Sequence, residues 1–374
     1  MEMKEIKETI DSCKYCFMCR HACPVFLATK LDKNTPKGHA LLLAEIEVGK
    51  LEWTENVVEC FYQCSQCGVC KEDCEYDWPE DELVRSGREE IIRQGKVPSR
   101  IENLKESLLT KGTVPKNGKQ RFVTPENALT REKPDILYLA GWQTRENHPK
   151  IIEAAASLFN SLQVNWCMLE NEDSSAMALY DLGFSEEARQ KADDLLNAII
   201  KIKPGLVVTG CAHTYHGLKQ KYAEMEATKT EIPVQHITEF IEEHLASGNL
   251  KLKESVSERK IAFHDPCHLG RKTGVFSPPR VIIEKVTGRK PIELFHSEAR
   301  AECCGAGSSM FLTDPDLSWK VAARRLQGAI EDGAETLVTA CQGCKTAFSN
   351  AVESANMDIA IIDITELVAS HLQD

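Results

Sequence analysis

The chain has 374 residues, enough at about 150 per domain for two or three compact units rather than one. It carries 45 Lys plus Arg against 57 Asp plus Glu, a formal charge of -12, with 42% apolar and 27% charged residues, which excludes collagen, coiled coil and wholesale disorder. The acidic balance, without a concentrated stripe of Lys and Arg, also excludes nucleic acid as a partner, because a phosphate-tracking surface needs such a stripe.

Met1 to Asp11 mix acidic and basic residues with no apolar run. That is unlike a secretory signal or transit peptide, so a cytoplasmic location is expected. No stretch approaches the roughly 18 apolar residues that a membrane-spanning helix needs, so any contact with the membrane's inner face is expected to run through a partner. Of the 16 cysteines, nine fall between Cys13 and Cys74 and five between Cys267 and Cys344, with Cys167 and Cys211 apart. In a reducing compartment such clustering means metal or redox chemistry.

Cys13, Cys16, Cys19 and Cys23 spell C-x2-C-x2-C-x3-C, followed by Pro24, and the run returns as Cys64, Cys67, Cys70 and Cys74 at a constant offset of 51 residues. This is the bacterial ferredoxin spacing. Three thiolates two residues apart wrap three corners of a cubane [4Fe-4S] cluster from one tight turn, while the fourth ligates the other cube. The expected ligand sets are Cys13, Cys16 and Cys19 with Cys74, and Cys64, Cys67 and Cys70 with Cys23. Zinc fits poorly, since it usually takes two separated C-x2-C pairs. Cys60, one helical turn before Cys64, reads as a packed thiol. Leu41, Leu42, Ala44, Ile46 and Val48 lie among good helix formers, and Leu83 to Gln94 and Arg100 to Leu109 also read as helices. An all-helical two-cluster ferredoxin domain is therefore expected over residues 1–110. The Lys, Gly, Pro, Asn and Thr content of 111–134 marks an exposed linker.

From Asp135 onward, short apolar strands (Ile136 to Ala140, Leu206 to Thr209, Ile261 to His264, Leu337 to Thr339) alternate with helical stretches, an α/β pattern. Two halves align, with Cys211 opposite Cys341, Ser174 opposite Cys303 and Trp142 opposite Cys267. This predicts a duplication, 135–250 as a degenerate first copy and 251–374 as an intact second. The second holds Cys267, Cys303, Cys304, Cys341 and Cys344. The first offers Trp142, Ser174, Ser175, Cys211 and Thr214, of which only Cys211 is a good iron ligand, so the first copy is expected to be a packing partner. Five thiols exceed what a cube needs. The adjacent pair Cys303-Cys304, with Gly305 allowing close backbone approach, suits a more open cluster; a zinc site using four of the five, or a reactive dithiol, are the other readings.

With these motifs in hand, the chain resembles the iron-sulfur proteins of the heterodisulfide reductase D type. It is also similar to the iron-sulfur subunits of anaerobic glycerol-3-phosphate dehydrogenase, glycolate oxidase and lactate-utilisation systems. The resemblance rests on the two ferredoxin runs, on D-P-C-H-L-G-R at Asp265 to Arg271, on E-C-C-G at Glu302 to Gly305 and on C-Q-G-C at Cys341 to Cys344, and extends from Cys13 to about Leu367. It implies an α+β multidomain fold in which the helical domain precedes a duplicated cysteine-rich (CCG) domain. It further implies that Cys267, Cys303, Cys304, Cys341 and Cys344 hold a noncubane [4Fe-4S] cluster. The stripped first copy departs from any reaction that uses two such clusters.

The function expected is that of an iron-sulfur subunit of an anaerobic redox complex, relaying electrons between a flavoprotein dehydrogenase or electron-transferring flavoprotein and an acceptor. The acceptor could be a quinone-linked membrane subunit, a further iron-sulfur protein or a disulfide reduced at the CCG site. There Cys303 and Cys304 would carry the chemistry, with His268 as candidate proton donor, although structural roles for His264 and His268 are the favoured reading. The alternative is a docking and relay subunit with structural zinc at the CCG site. His213 and His216, near Cys211, read as a solvated helix start, and Lys201, Lys203 and Lys251 to Lys260 as solvated faces. No G-x-G-x-x-G loop is present, so neither flavin nor NAD is expected in this chain.

Overall fold

The computed structural model describes residues 3–76, 78–112, 128, 133–253 and 259–373. The expected linker at 111–134 lies almost wholly outside them, as does part of the Lys251 to Lys260 face.

Among the described residues, the chain up to Gly112 forms helices and no strand: Met3–Ser12, Met18–Ala22, Pro24–Thr29, Pro36–Glu47, Glu55–Tyr62, Val69–Glu72, Glu80–Arg93 and Ser99–Lys111, with one short 3-10 turn. Local chemistry sets their ends. Thr35 caps the helix beginning at Pro36 and Thr54 the one beginning at Glu55, each accepting a backbone N–H, while left-handed Gly112 stops the last. Pro24 also has a function here. It opens the Pro24–Thr29 helix, whose first turn is capped by the Cys23 sulfur, a helix that the second run, with Glu75 after Cys74, does not repeat.

The rest is α/β and duplicated. Strands β1 (Ile136–Leu139), β2 (Trp166–Met168), β3 (Leu206–Thr209) and β4 (Val234–His236) form a parallel sheet in the order β2-β1-β3-β4. Strands β5 (Ile261–His264), β6 (Thr336–Thr339) and β7 (Ala360–Asp363) form a second parallel sheet in the order β5-β6-β7. Ile292 pairs with Ala262 of β5 by a single parallel bridge, so it stands where β2 stands beside β1. The two sheets share one topology.

Four cores organise the packing. One face of each sheet, with Tyr138 and Val208 from the first and Phe263 and Val338 from the second, shares a core that joins the two copies. The outer face of the first sheet packs on the Ser185–Ile202 helix, and that of the second on the Pro315–Glu331 and Gln342–Ala355 helices. Val25, Phe26, Cys67 and Val69 of the N-terminal region enter the core of the second copy. Ala178, Leu179, Leu182, Phe184 and Ala188 of the first copy enter the core of the N-terminal helices. The helical region is therefore walled by both copies.

Candidate metal centres

The two ferredoxin runs adopt the same loop. Tyr15 and Phe17 in the first, and Gln66 and Gly68 in the second, take positive φ of 52°, 69°, 48° and 76°. These are matching positions, 51 residues apart. Left-handed steps on either side of the second cysteine reverse the chain twice within a few residues, a geometry that is strained for Tyr, Phe and Gln and natural for Gly68.

Each run lines a cavity and each lends its last cysteine to the other. Cys13, Cys16, Cys19 and Cys74 line one cavity together with Tyr15, Phe17, Met18, Tyr76 and Trp78. Cys23, Cys64, Cys67 and Cys70 line the other with Val25, Pro36, His39 and Glu80. Pro36 and Cys70 touch both. The first cavity lies at the surface, with Cys16, Phe17, Met18 and Tyr76 exposed; the second is interior, with Cys23, Cys67 and Cys70 buried. Burial lifts the Cys19 thiol to about 11 and holds Cys64 and Cys70 well above the ordinary thiol range. Ionising such thiols takes a cation in their midst. A quartet of sulfur donors in a mostly apolar wall fits a soft iron-sulfur centre. Cys60 belongs to neither cavity: it is buried, and its thiol bonds Asn56 O at 3.0 Å.

The five cysteines of the second copy come from three loops at the carboxyl ends of parallel strands, where α/β sheets place their sites. Cys267 follows β5, Cys303 and Cys304 lie in an intervening loop, and Cys341 and Cys344 open the helix after β6. The neighbouring Cys303 and Cys344 thiols hold the Cys304 thiol below its ordinary value, and Cys304 in turn raises Cys303. Cys341 is lowered by the neighbouring Cys344 thiol. Half-buried Cys267, raised by desolvation and by the charges of Cys303, Cys67 and Cys304, closes the group. The donor set again fits an iron-sulfur centre. The backbone N–H of Gly305 reaches Cys303 Sγ at 3.3 Å, and Gly305 is required sterically: its φ is 86°, and an added Cβ would stand 2.5 Å from Ser318 O.

The interior cavity adjoins this group. Cys67 packs beside Cys303, and that neighbouring thiol first, then burial, raises its pKa well above the usual value. Arg271 fixes the junction: its guanidinium donates to Cys67 O (2.7 Å), Ala299 O (2.6 Å) and Ala301 O (2.5 Å). Lys272 pairs with Asp81 beside it.

In the first copy, Trp142 stacks on Phe311 of the second, with ring centroids 6.4 Å apart, and its backbone N–H donates to Ser174 Oγ at 3.0 Å. Ser175 Oγ donates to Asp173. Buried Cys211 sits close enough to Cys341 for that charge to add to the burial that raises its pKa to about 12. His264 ends β5 buried and edge-on to Phe348, with a ring nitrogen in the group formed with Cys304 and Cys344. His268 Nδ1 lies 3.4 Å from Cys267 Sγ.

One expectation is overturned. His213 and His216 are not a solvated helix start, because His216 is only 2% exposed and His213 pairs with Asp181 at 3.1 Å; packing between the copies, absent from any local pattern, covers them. Sequence reasoning also misses Arg88. Fully buried, it donates to Phe61 O, Cys64 O, Asp181 O and Ser308 Oγ. On an otherwise charged helix an arginine reads as solvent-facing, and the neighbouring Gly87, whose Cβ would meet the Phe61 ring at 2.6 Å, is the one local sign of close packing there.

Comparison with known proteins agrees with this anatomy. Residues 9–78 match the 4Fe-4S dicluster domain family and residues 261–349 the cysteine-rich domain family, CCG. The chain is 28% identical over 386 aligned residues to the D subunit of the dihydromethanophenazine:CoB–CoM heterodisulfide reductase of Methanosarcina barkeri, covering 97% of this chain and 94% of that one. It is 23% identical to the EtfAB:quinone oxidoreductase of Syntrophomonas wolfei over 96% of this chain and 58% of that one. A solved structure of a hypothetical protein from Helicobacter pylori shares the fold at a TM-score of 0.58 and 11% identity, covering 100% of this chain and 77% of that chain. The chain thus carries a 4Fe-4S dicluster domain ahead of a CCG cysteine-rich domain and, along nearly its whole length, is similar to the D subunits of heterodisulfide reductases.

Proposed function

We propose that this protein is the iron-sulfur relay of a redox complex, passing electrons between a flavoprotein partner and an acceptor through three centres in series. Cys13, Cys16, Cys19 and Cys74 would hold a cubane at the surface, Cys64, Cys67, Cys70 and Cys23 a second inside, and Cys267, Cys303, Cys304, Cys341 and Cys344 a noncubane [4Fe-4S] cluster. When bound, such clusters supply one-electron carriers, and an open one also supplies iron sites for sulfur ligands. The observation that carries this reading is the packing of Cys67 and Cys303 in one buried cluster, which sets the wall of the interior cavity against the CCG thiols. The chain's own part is to hold three thiol groups in line, to exclude water from the inner two and to leave the outer one reachable at Cys16.

The name of the Syntrophomonas relative supports an electron-transferring flavoprotein and a quinone as the two ends, and that of the Methanosarcina relative supports a disulfide. No described helix is long and apolar enough to cross a membrane, so a quinone-linked acceptor would be met through another subunit from the cytoplasmic side. Metal analysis of anoxically purified protein tests the reading. About twelve irons per chain are expected from three [4Fe-4S] sites, against about eight irons and one zinc if the CCG site is structural. Disulfide reduction by the isolated, dithionite-reduced chain would assign chemistry, beyond relay, to Cys303 and Cys304.

A further inference from the structure

A second set of donor atoms lies between the two copies, and it contains no sulfur. Asp181 closes the Ala176–Asp181 helix, His213 and His216 lie one turn apart on the Ala212–His216 helix, and His268 follows Cys267 in the loop after β5. One ligand atom each from Asp181, His213 and His268 lies within 4.8 Å of the others. Asp181 Oδ2 and His213 Nε2 stand 3.1 Å apart. That spacing suits an ion pair, and equally suits two neighbouring ligands of one ion at about 2.0–2.1 Å from each.

A fourth group stands beside these three, outside the 4.8 Å set. The His216 ring lies 5.2 Å from that of His268, which in turn is 4.5 Å from His213. His216 is buried and its Nδ1 has no hydrogen-bond partner, an unfavourable arrangement that a bound ligand would relieve. His268 turns Nδ1 to Cys267 Sγ, which leaves Nε2 as its other donor. Two lysines stand near, but Lys272 is held by Asp81 and Lys221 by Glu224, and Arg88 spends its donors on Phe61 O, Cys64 O, Asp181 O and Ser308 Oγ.

We propose that Asp181, His213 and His268, with His216 as fourth donor, form a mononuclear site for a divalent ion of the zinc class. Imidazole and carboxylate suit that ion, and four protein ligands make a closed, structural centre. The first copy, having exchanged cysteine for serine and tryptophan, would thus keep a metal by another donor set. The ion would fasten it to the loop that carries Cys267 and fix the face His268 presents to that sulfur.

The test uses full-length, cluster-loaded protein prepared without oxygen, given one equivalent of zinc chloride and desalted. About one zinc per chain should remain, with a nitrogen and oxygen shell at about 2.0–2.1 Å by zinc-edge X-ray absorption. Asp181→Asn and His213→Gln should each weaken zinc retention about tenfold or more, and His216→Gln less, with iron content and the reduced paramagnetic spectrum unchanged. Three results would overturn the site: no zinc held by the native protein, a sulfur shell at about 2.3 Å, or retention by both variants equal to native. The shell is read on the native protein, so it decides the matter even if a variant misfolds. Iron is counted separately, so failure of this site is distinct from failure of the cluster assignment.

Discussion

Arg88 Nη1 donates to Ser308 Oγ at 2.9 Å, tying the ferredoxin-like helices to the turn that follows Cys303 and Cys304. Ser308 and the adjacent Ser309 both have positive φ, 53° and 57°, so this cation helps hold a strained segment. The same guanidinium serves the Cys64 carbonyl at 2.7 Å. Replacing Arg88 by Met strips hydrogen bonds from buried carbonyls of three segments, and a loss of about 3–5 kcal/mol is expected. The melting temperature should fall, and iron should be lost from the interior cubane site and the CCG site together, while the Cys16 site keeps its own. Separate loss at those two sites would show that Arg88 does not link them.

The crossing of Cys23 and Cys74 gives a pairwise test. Cys74→Ala should match Cys16→Ala, and Cys23→Ala should match Cys67→Ala, in which reduced-state paramagnetic signal disappears. Each change should remove up to about four irons per chain. If Cys23→Ala instead matched Cys16→Ala, each run would own all four of its ligands and the exchange would be wrong.

Gly305 can be probed without touching a thiol. Gly305→Ala puts a methyl 2.5 Å from Ser318 O at a φ of 86°, a strain of about 1–3 kcal/mol or more. The CCG signal should be lost or broadened with the cubane signals intact. An unchanged CCG spectrum in this variant would mean that the turn relaxes freely.

His236 provides the pH dependence. It is buried, with Nδ1 at 2.9 Å from Thr238 Oγ1 and Nε2 at 3.2 Å from Gly210 O, and burial brings its pKa from 6.5 down to about 3. Because the folded value is depressed, the unfolded chain takes up a proton first. The stabilising contribution is complete above pH 6.5 and is lost as pH falls from 6.5 towards 3. Between pH 6.5 and about 5 the loss amounts to about 2 kcal/mol. Thermal unfolding of His236→Gln across that interval should show a shallower slope than the native protein, and an equal slope would remove His236 from the account.

What the sequence reveals follows from how local each feature is. The gathering of three cysteines at each cavity is legible in it because they come from one turn, and the exchange of the fourth matches the ferredoxin spacing. Strands β3 and β5 are continuous β-branched and apolar runs and read directly, with observed limits equal to those expected. Strands β4 and β7 are not among them: both are sheet edges and only partly buried, and in β4 Gln235 breaks the apolar run. β2 is missed as well, being only three residues long. The grouping of Asp181, His213, His216 and His268 is invisible in the sequence for a different reason: 87 positions separate its ends, and only the packing of one copy on the other brings them together.

Leu179, Leu182 and Phe184 carry a consequence for the history of the duplication. They belong to the half that has only Cys211 where the other has five cysteines, yet their side chains form a wall of the compartment around the ferredoxin-like helices. Deleting that half to leave a leaner protein would open this compartment to solvent beside Cys13, Cys64 and Cys74. Selection can therefore erode its chemistry residue by residue, but cannot discard its bulk.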